Sequence, residues 1–121
     1  MRVEMVMRGI FVVAIGAVVT VCQAAENRAD YLREIQPILR ERCFACHGAW
    51  KQKAGLRLDT VGGMLRGGDS GAVITRGDAS KSILLDRVSA ADVAERMPPE
   101  HEGDPLSVAQ IALLRACHDV R

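Results

Sequence analysis

A chain of 121 residues has room for one small domain and a short appendage. Its formal net charge of +1 excludes the one-signed field that recruits nucleic acid or a strongly acidic partner. With one Trp, one Tyr and two Phe, it also lacks the large side chains that make so small a core stable unaided.

The N-terminus explains part of this composition. Arg2 and Arg8 precede residues 9–21, which carry no charge, and Cys22-Gln23-Ala24-Ala25 leads into Glu26. A basic start, an apolar middle of this length and small residues before a charged stretch describe a secretory signal peptide over residues 1–25. The competing reading is a retained membrane anchor, because the uncharged stretch through Ala25 approaches the shortest spanning length. Arg2, Arg8 and Glu4 all precede the apolar run, so residues 26–121, read as the folded domain, are close to neutral.

Residues 30–42 have the spacing of an amphipathic helix. Tyr31, Leu32, Ile35, Ile38 and Leu39 fall on one side, and Arg33, Glu34, Arg40 and Glu41 on the other. Pro37 lacks an N–H and clashes with the preceding turn, so the helix either kinks there after an Asp30 cap or begins beside it. Both versions deliver Cys43 to the end of a helix.

There the chain reads Cys43-Phe44-Ala45-Cys46-His47-Gly48, the C-x-x-C-H signature of c-type haem attachment. Two thiols on one turn of backbone can form thioethers with the two vinyl groups of one porphyrin. The following imidazole is then held beneath the iron as the proximal ligand. In bacteria such attachment takes place outside the cytoplasmic membrane, which agrees with the exporting N-terminus. A buried porphyrin would also supply the apolar bulk that the composition lacks.

Residues 48–77 are glycine-rich and read as loops, with one short helix around residues 60–66. Leu56-Arg57-Leu58-Asp59-Thr60 alternates too briefly to establish a strand. No Lys-Ser or Lys-Thr follows the glycines in P-loop register. Asp78 or Ser80 is the expected cap of a helix through residues 81–88, and residues 90–95 add a further turn. Arg96-Met97-Pro98-Pro99 is a constrained loop. Asp104 as cap and Pro105 at the first position predict the start of a last helix. On it Leu106, Ala109, Leu113, Ala116, Cys117 and Val120 share a face.

Met97 is the expected distal iron ligand. Its thioether is soft and neutral, and the prolines after it hold the loop with little freedom left to lose. Met64, His101 and His118 are the remaining candidates beyond residue 47. Cys117-His118 does not complete a second haem motif, because position 114 is Leu114. Zinc held by Cys43, Cys46 and Cys117 with a histidine is the chemical competitor. Otherwise Cys117 is an inward-facing small residue, the odd thiol left for an intermolecular disulfide. Arg57, Arg66, Arg76 and Arg96 are basic groups of the kind that pair with haem propionates, but solvation accounts for each equally simply and none is assigned.

Taken together, Asp30-Tyr31, Ile35-Gln36-Pro37-Ile38-Leu39, Cys43-x-x-Cys46-His47-Gly48 and Gly55-Leu56-Arg57-Leu58-Asp59-Thr60 resemble the planctomycete-type cytochrome c domain. Gly67-Gly68-Asp69-Ser70-Gly71, Gly77-Asp78-x-x-x-Ser82, Arg96-Met97-Pro98-Pro99 and Ile111-x-Leu113-Leu114-Arg115-Ala116 extend the likeness over roughly residues 30–116. The resemblance implies an all-α, class-I-like fold of three to five helices around one covalent haem c, with long glycine-rich loops. It implies Cys43 and Cys46 as attachment sites, His47 as proximal ligand and Met97 as distal ligand. The family typically continues its last helix with tryptophan where this chain has Cys117. A cysteine there is expected to leave a void against the first helix.

The function expected is one-electron transfer in the periplasm or cell envelope, without enzymatic catalysis, to a redox partner the sequence does not identify. Neither nucleic acid nor, unless the N-terminal segment is retained, a membrane is an expected partner. The alternatives are a haem-based ligand sensor with an open or displaceable sixth position, and a structural zinc domain.

Overall fold

The computed structural model describes residues 29–118; the expected signal segment, Cys22 and Val120 lie outside them. Four α-helices form, α1 (Gln36–Arg42), α2 (Val61–Arg66), α3 (Ile83–Ser89) and α4 (Val108–His118), and no strand occurs among the described residues. The protein is therefore all-α, as the sequence predicts.

Both versions of the first helix are realised in series. Asp30 caps a leading turn, its carboxylate accepting from Leu32 and Arg33 N–H at 3.0 and 3.2 Å. That turn, Tyr31–Ile35, is wound as a π-helix, with the Gln36 N–H donating to the Tyr31 carbonyl. Pro37 then lies in the first turn of α1. It has no N–H to continue the ladder, and widening the turn before it absorbs that gap. The buried stripe is Ile35, Ile38 and Leu39, while Leu32, expected inside, is 68% exposed. One residue of extra winding rotates the N-terminal turn relative to α1, which turns Leu32 away from the core.

Thr60 caps α2, accepting from Gly63 N–H at 3.0 Å. Gly67 ends it at φ 77°, and a Cβ there would collide with the Gly71 carbonyl, so the position requires glycine. Asp78 caps a single 3₁₀ turn, Ala79–Lys81, before α3 starts at Ile83. Ser82 is fully buried between the two; its hydroxyl accepts from Thr75 N–H at 2.9 Å and so joins the loop to α3.

The last helix starts later than expected. Asp104-Pro105-Leu106 is not helical, and α4 is opened by a reciprocal pair at Ser107 and Gln110. The Ser107 hydroxyl accepts from Gln110 N–H at 3.1 Å, and the Gln110 side chain accepts from Ser107 N–H at 2.9 Å. This capping box satisfies two terminal donors at once, which an aspartate-proline start does not. Of the expected inward face, Leu106 is buried and Ala116 half-buried. Leu114 and His118 are buried, Ile111, Leu113 and Cys117 half-buried, and Ala109 exposed.

α4 packs against both the π turn and α3. The core between them gathers Ile35, Ile38 and Leu39 with Leu58, Met64, Leu84, Leu85, Val88, Leu106 and Leu114. The Gly77 N–H donates to the His118 carbonyl at 2.9 Å and fastens the end of α4 to the preceding loop. No helix among the described residues is long and apolar enough to cross a membrane.

Candidate haem site

The Cys43–Gly48 segment is a closed turn directly beyond α1. Cys43 and Phe44 N–H groups both reach back to the Leu39 carbonyl, at 2.8 and 3.0 Å. The Cys43 carbonyl in turn accepts from Cys46 and His47 N–H at 3.2 and 2.9 Å. Gly48 completes the turn, and a Cβ there would overlap the Phe44 carbonyl. The bonds that close the turn all use backbone, so the Cys43, Cys46 and His47 side chains take no part in closing it.

The loop that follows is tied to the same turn. Lys53 N–H donates to the Cys46 carbonyl at 2.9 Å, and Leu58 N–H to the His47 carbonyl at 2.8 Å. The His47 Nδ1 meets the Lys53 carbonyl at 3.1 Å. Because a carbonyl only accepts, this bond assigns the ring proton to Nδ1 and leaves the Nε2 lone pair free. Such a tether is the usual support of a metal-ligating imidazole. Burial lowers the His47 pKa, against the opposing pull of backbone hydrogen bonds at Lys53 and Leu56, and so favours the neutral ring. Arg57 and Asp59 stiffen the loop further through a two-pronged ion pair at 2.9 and 2.6 Å.

Cys43 and Cys46 are free thiols. Burial pushes Cys43 up to about 11, with the Arg42 charge pulling it down and Cys46 raising it. It is held as a neutral thiol. Arg42 also donates to the Asp104 carbonyl at 3.3 Å, linking the end of α1 to the approach to α4.

Met97 lies beyond α3. Its N–H donates to the Arg87 carbonyl at 2.9 Å, and the Arg87 guanidinium pairs with the Glu95 carboxylate, bracing the loop from both sides. The side chain is 39% exposed and precedes the buried Pro98. Met64 is the buried methionine, at 7%, and packs in the core. His101 is exposed beside Glu102. Among the described residues no three His, Cys, Asp or Glu side chains come together to hold a metal ion, so the Cys43–Cys46–Cys117 zinc set is not assembled.

The void expected beside Cys117 is present. A cavity of ≈ 200 Å³ opens where the first helical segment (Tyr31, Ile35, Leu39) and α4 (Leu114, Cys117) meet α2 (Met64, Leu65) and the loop at Arg76. None of Cys43, Cys46, His47 or Met97 lines it. His118, one of the alternative distal candidates in the sequence, is buried, four residues after Leu114 on the same face of α4.

A family model described as Planctomycete cytochrome C matches residues 43–101. The chain carries a planctomycete-type cytochrome c domain. No curated protein and no solved structure gives a significant match. The matched segment begins at the first cysteine of the closed turn and runs past Met97, so the cytochrome domain spans both proposed sources of iron ligands. Membership of a cytochrome c family implies covalent haem c. The residues fit that group. Two free thiols flank one turn, the following imidazole has its Nδ1 already committed to backbone, and Gly48 lets the turn close tightly.

Proposed function

We propose that this cytochrome domain is an exported one-electron carrier with one haem, held through Cys43 and Cys46 and ligated by His47 and Met97. The observation that carries the reading is the 3.1 Å contact between His47 Nδ1 and the Lys53 carbonyl, which fixes the ring and keeps Nε2 free. Haem supplies the Fe(II)/Fe(III) couple. The protein's part is to hold one imidazole and one thioether in place in both oxidation states, so that little reorganisation accompanies a change of charge. The His47 ring is held by the Lys53 loop, and Met97 by the Arg87–Glu95 brace. A soft thioether favours the ferrous state and raises the potential relative to a second imidazole. The electron acceptor or donor is taken to be another protein, and no residue is assigned a catalytic role.

The 39% exposure of Met97 favours a second reading, in which this ligand is displaceable and the domain senses small haem ligands. One absorption spectrum separates the two. For the exported full chain from a host with haem-attachment machinery, low-spin α and β bands in the reduced state that resist CO support electron transfer. Bands that shift with CO support sensing. Intact mass counts the haems attached. Met97→Ala is expected to change both the spectrum and the potential; an unchanged spectrum and potential would remove Met97 from the iron.

A further inference from the structure

The turn that carries Cys43 and Cys46 leads straight into a closed hairpin tip. His47 and Gln52 form an isolated antiparallel bridge, and the Gly48 N–H donates to the Lys51 carbonyl at 2.8 Å. The Lys53 N–H donates to the Cys46 carbonyl at 2.9 Å, so the tip is tied back to the thiol turn. Ala49 and Trp50 lie at its end, and residues 49–55 are all exposed. Trp50 is the one tryptophan of the chain, and at 102% exposure it stands fully in solvent. A chain with one Trp, one Tyr and two Phe, and with a void between its helices, thus keeps its largest aromatic group outside the core. Burial does not account for the residue, and the closed backbone beneath it fixes where it stands.

The charges beside it carry one sign. Lys51 and Lys53 are exposed, and neither is ion-paired among the described residues. Residues 40–53 hold Arg40, Arg42, Lys51 and Lys53 against Glu41 alone, in a domain whose total charge is close to zero. A rigid aromatic side chain ordered before contact is the chemistry of a docking anchor, since little freedom is lost when it is covered. The cations beside it favour an acidic surface and repel a basic one. A lipid surface fits less well, because interfacial binding needs an extended apolar face and this tip offers one ring among alanine, lysine and glutamine. We infer that Trp50, with Lys51 and Lys53, is the anchor by which the domain docks an acidic partner protein. The inference rests on the electron-carrier reading: Trp50 lies three positions after His47, and electron-transfer encounters use small contact areas that one hairpin tip can serve.

Two blue-copper proteins of one fold and matched potential, one acidic and one basic, are the probes for the haem-loaded full chain. The single indole N–H gives one resonance to follow. It is expected to shift on titration with the acidic protein in its redox-silent zinc form, and not with the basic one. In stopped flow the ferrous haem passes one electron to copper(II), leaving ferric iron and copper(I). The rate to the acidic protein is expected to be the higher and to fall with added salt. Trp50→Ala is expected to slow it about fivefold or more, the cost of losing an anchor. Lys51→Glu is expected to slow it and flatten its salt dependence, with the reduction potential unchanged in both variants. Equal rates to the two proteins, a still indole resonance, or a rate that Trp50→Ala leaves alone would overturn the inference and keep the carrier reading. A potential shifted by Trp50→Ala would assign the ring to the haem and overturn it too. Loss of sedimentation with phosphatidylglycerol vesicles in Trp50→Ala, at an unchanged rate, would overturn it in favour of a lipid surface. Transfer to neither protein would overturn the carrier reading as well.

Discussion

Cys46-His47 and Cys117-His118 are the same dipeptide in two settings. In both, the histidine Nδ1 is bound to a backbone carbonyl and Nε2 is left over. The first tether comes from Lys53, on a loop that folds back over the turn; the second comes from Leu114, on the histidine's own helix. The residue four positions before His47 is a second thiol, Cys43, whereas four before His118 it is the buried Leu114. The first turn therefore carries two thiols and an imidazole, the proposed three-point hold on haem, and is closed by a dense set of backbone bonds. The second leaves one nitrogen sealed from solvent. A tethered imidazole is thus common to both, and the neighbouring side chain decides what it can hold.

The largest effect should come from breaking the first of the pair. His47→Ala is expected to abolish stable haem loading, seen as loss of the reduced α band, while His118→Ala leaves haem content and intact-mass gain unchanged. Equal loss in both variants would mean that the two histidines share one task. A smaller effect is expected at the cavity beside Cys117. Cys117→Trp should stabilise the domain by about 1–2 kcal/mol, as cavity filling commonly does. Each kcal/mol corresponds to a rise of about 4–8 °C in Tm for a domain of this size. A lowered Tm would show that the gap is too narrow for the ring and that overpacking prevails. The smallest effect sharpens the comparison from outside both sites. Ser107→Ala removes one half of the α4 capping box and should cost about 1 kcal/mol in urea unfolding. Haem loading should not change.

Legibility in the sequence follows the length of the interaction. The Cys43–His47 turn could be read directly because its chemistry needs three residue types in fixed register, and α2 because Thr60 and Gly67 bracket it. The start of α4 was misplaced because Asp104-Pro105 and Ser107-x-x-Gln110 are both valid helix openings. Only the reciprocal bonds of the second, and the use of the Asp104 carbonyl by Arg42, separate them. Leu32 was placed inside because helical spacing was counted through residues that the structure winds as a π turn. The expected inward face of α4 held at Leu113, Ala116 and Cys117 and failed at Ala109, which is exposed. The sequence offered His118 as an alternative iron ligand; its burial was not legible, because α4 packs on α3 and the π turn, which lie far from it in the chain. The void was foreseeable, since a small side chain was visible where the resembling family carries a large one.

The bond between Gly77 N–H and the His118 carbonyl has a consequence in time as well as in space. It closes a long loop, from 77 to 118, whereas the turn at Cys43 is closed by bonds to residues three and four positions away. Loop-closure entropy delays the distant contact, and local turns close first. The thiol pair is therefore expected to be shaped while the last helix is still undocked, which would leave the proposed attachment sites Cys43 and Cys46 open to modification before the interior is sealed. Pulse-labelling hydrogen exchange during refolding is expected to protect the His47 amide before the Gly77 amide; simultaneous protection would mean that turn and clasp form as one unit.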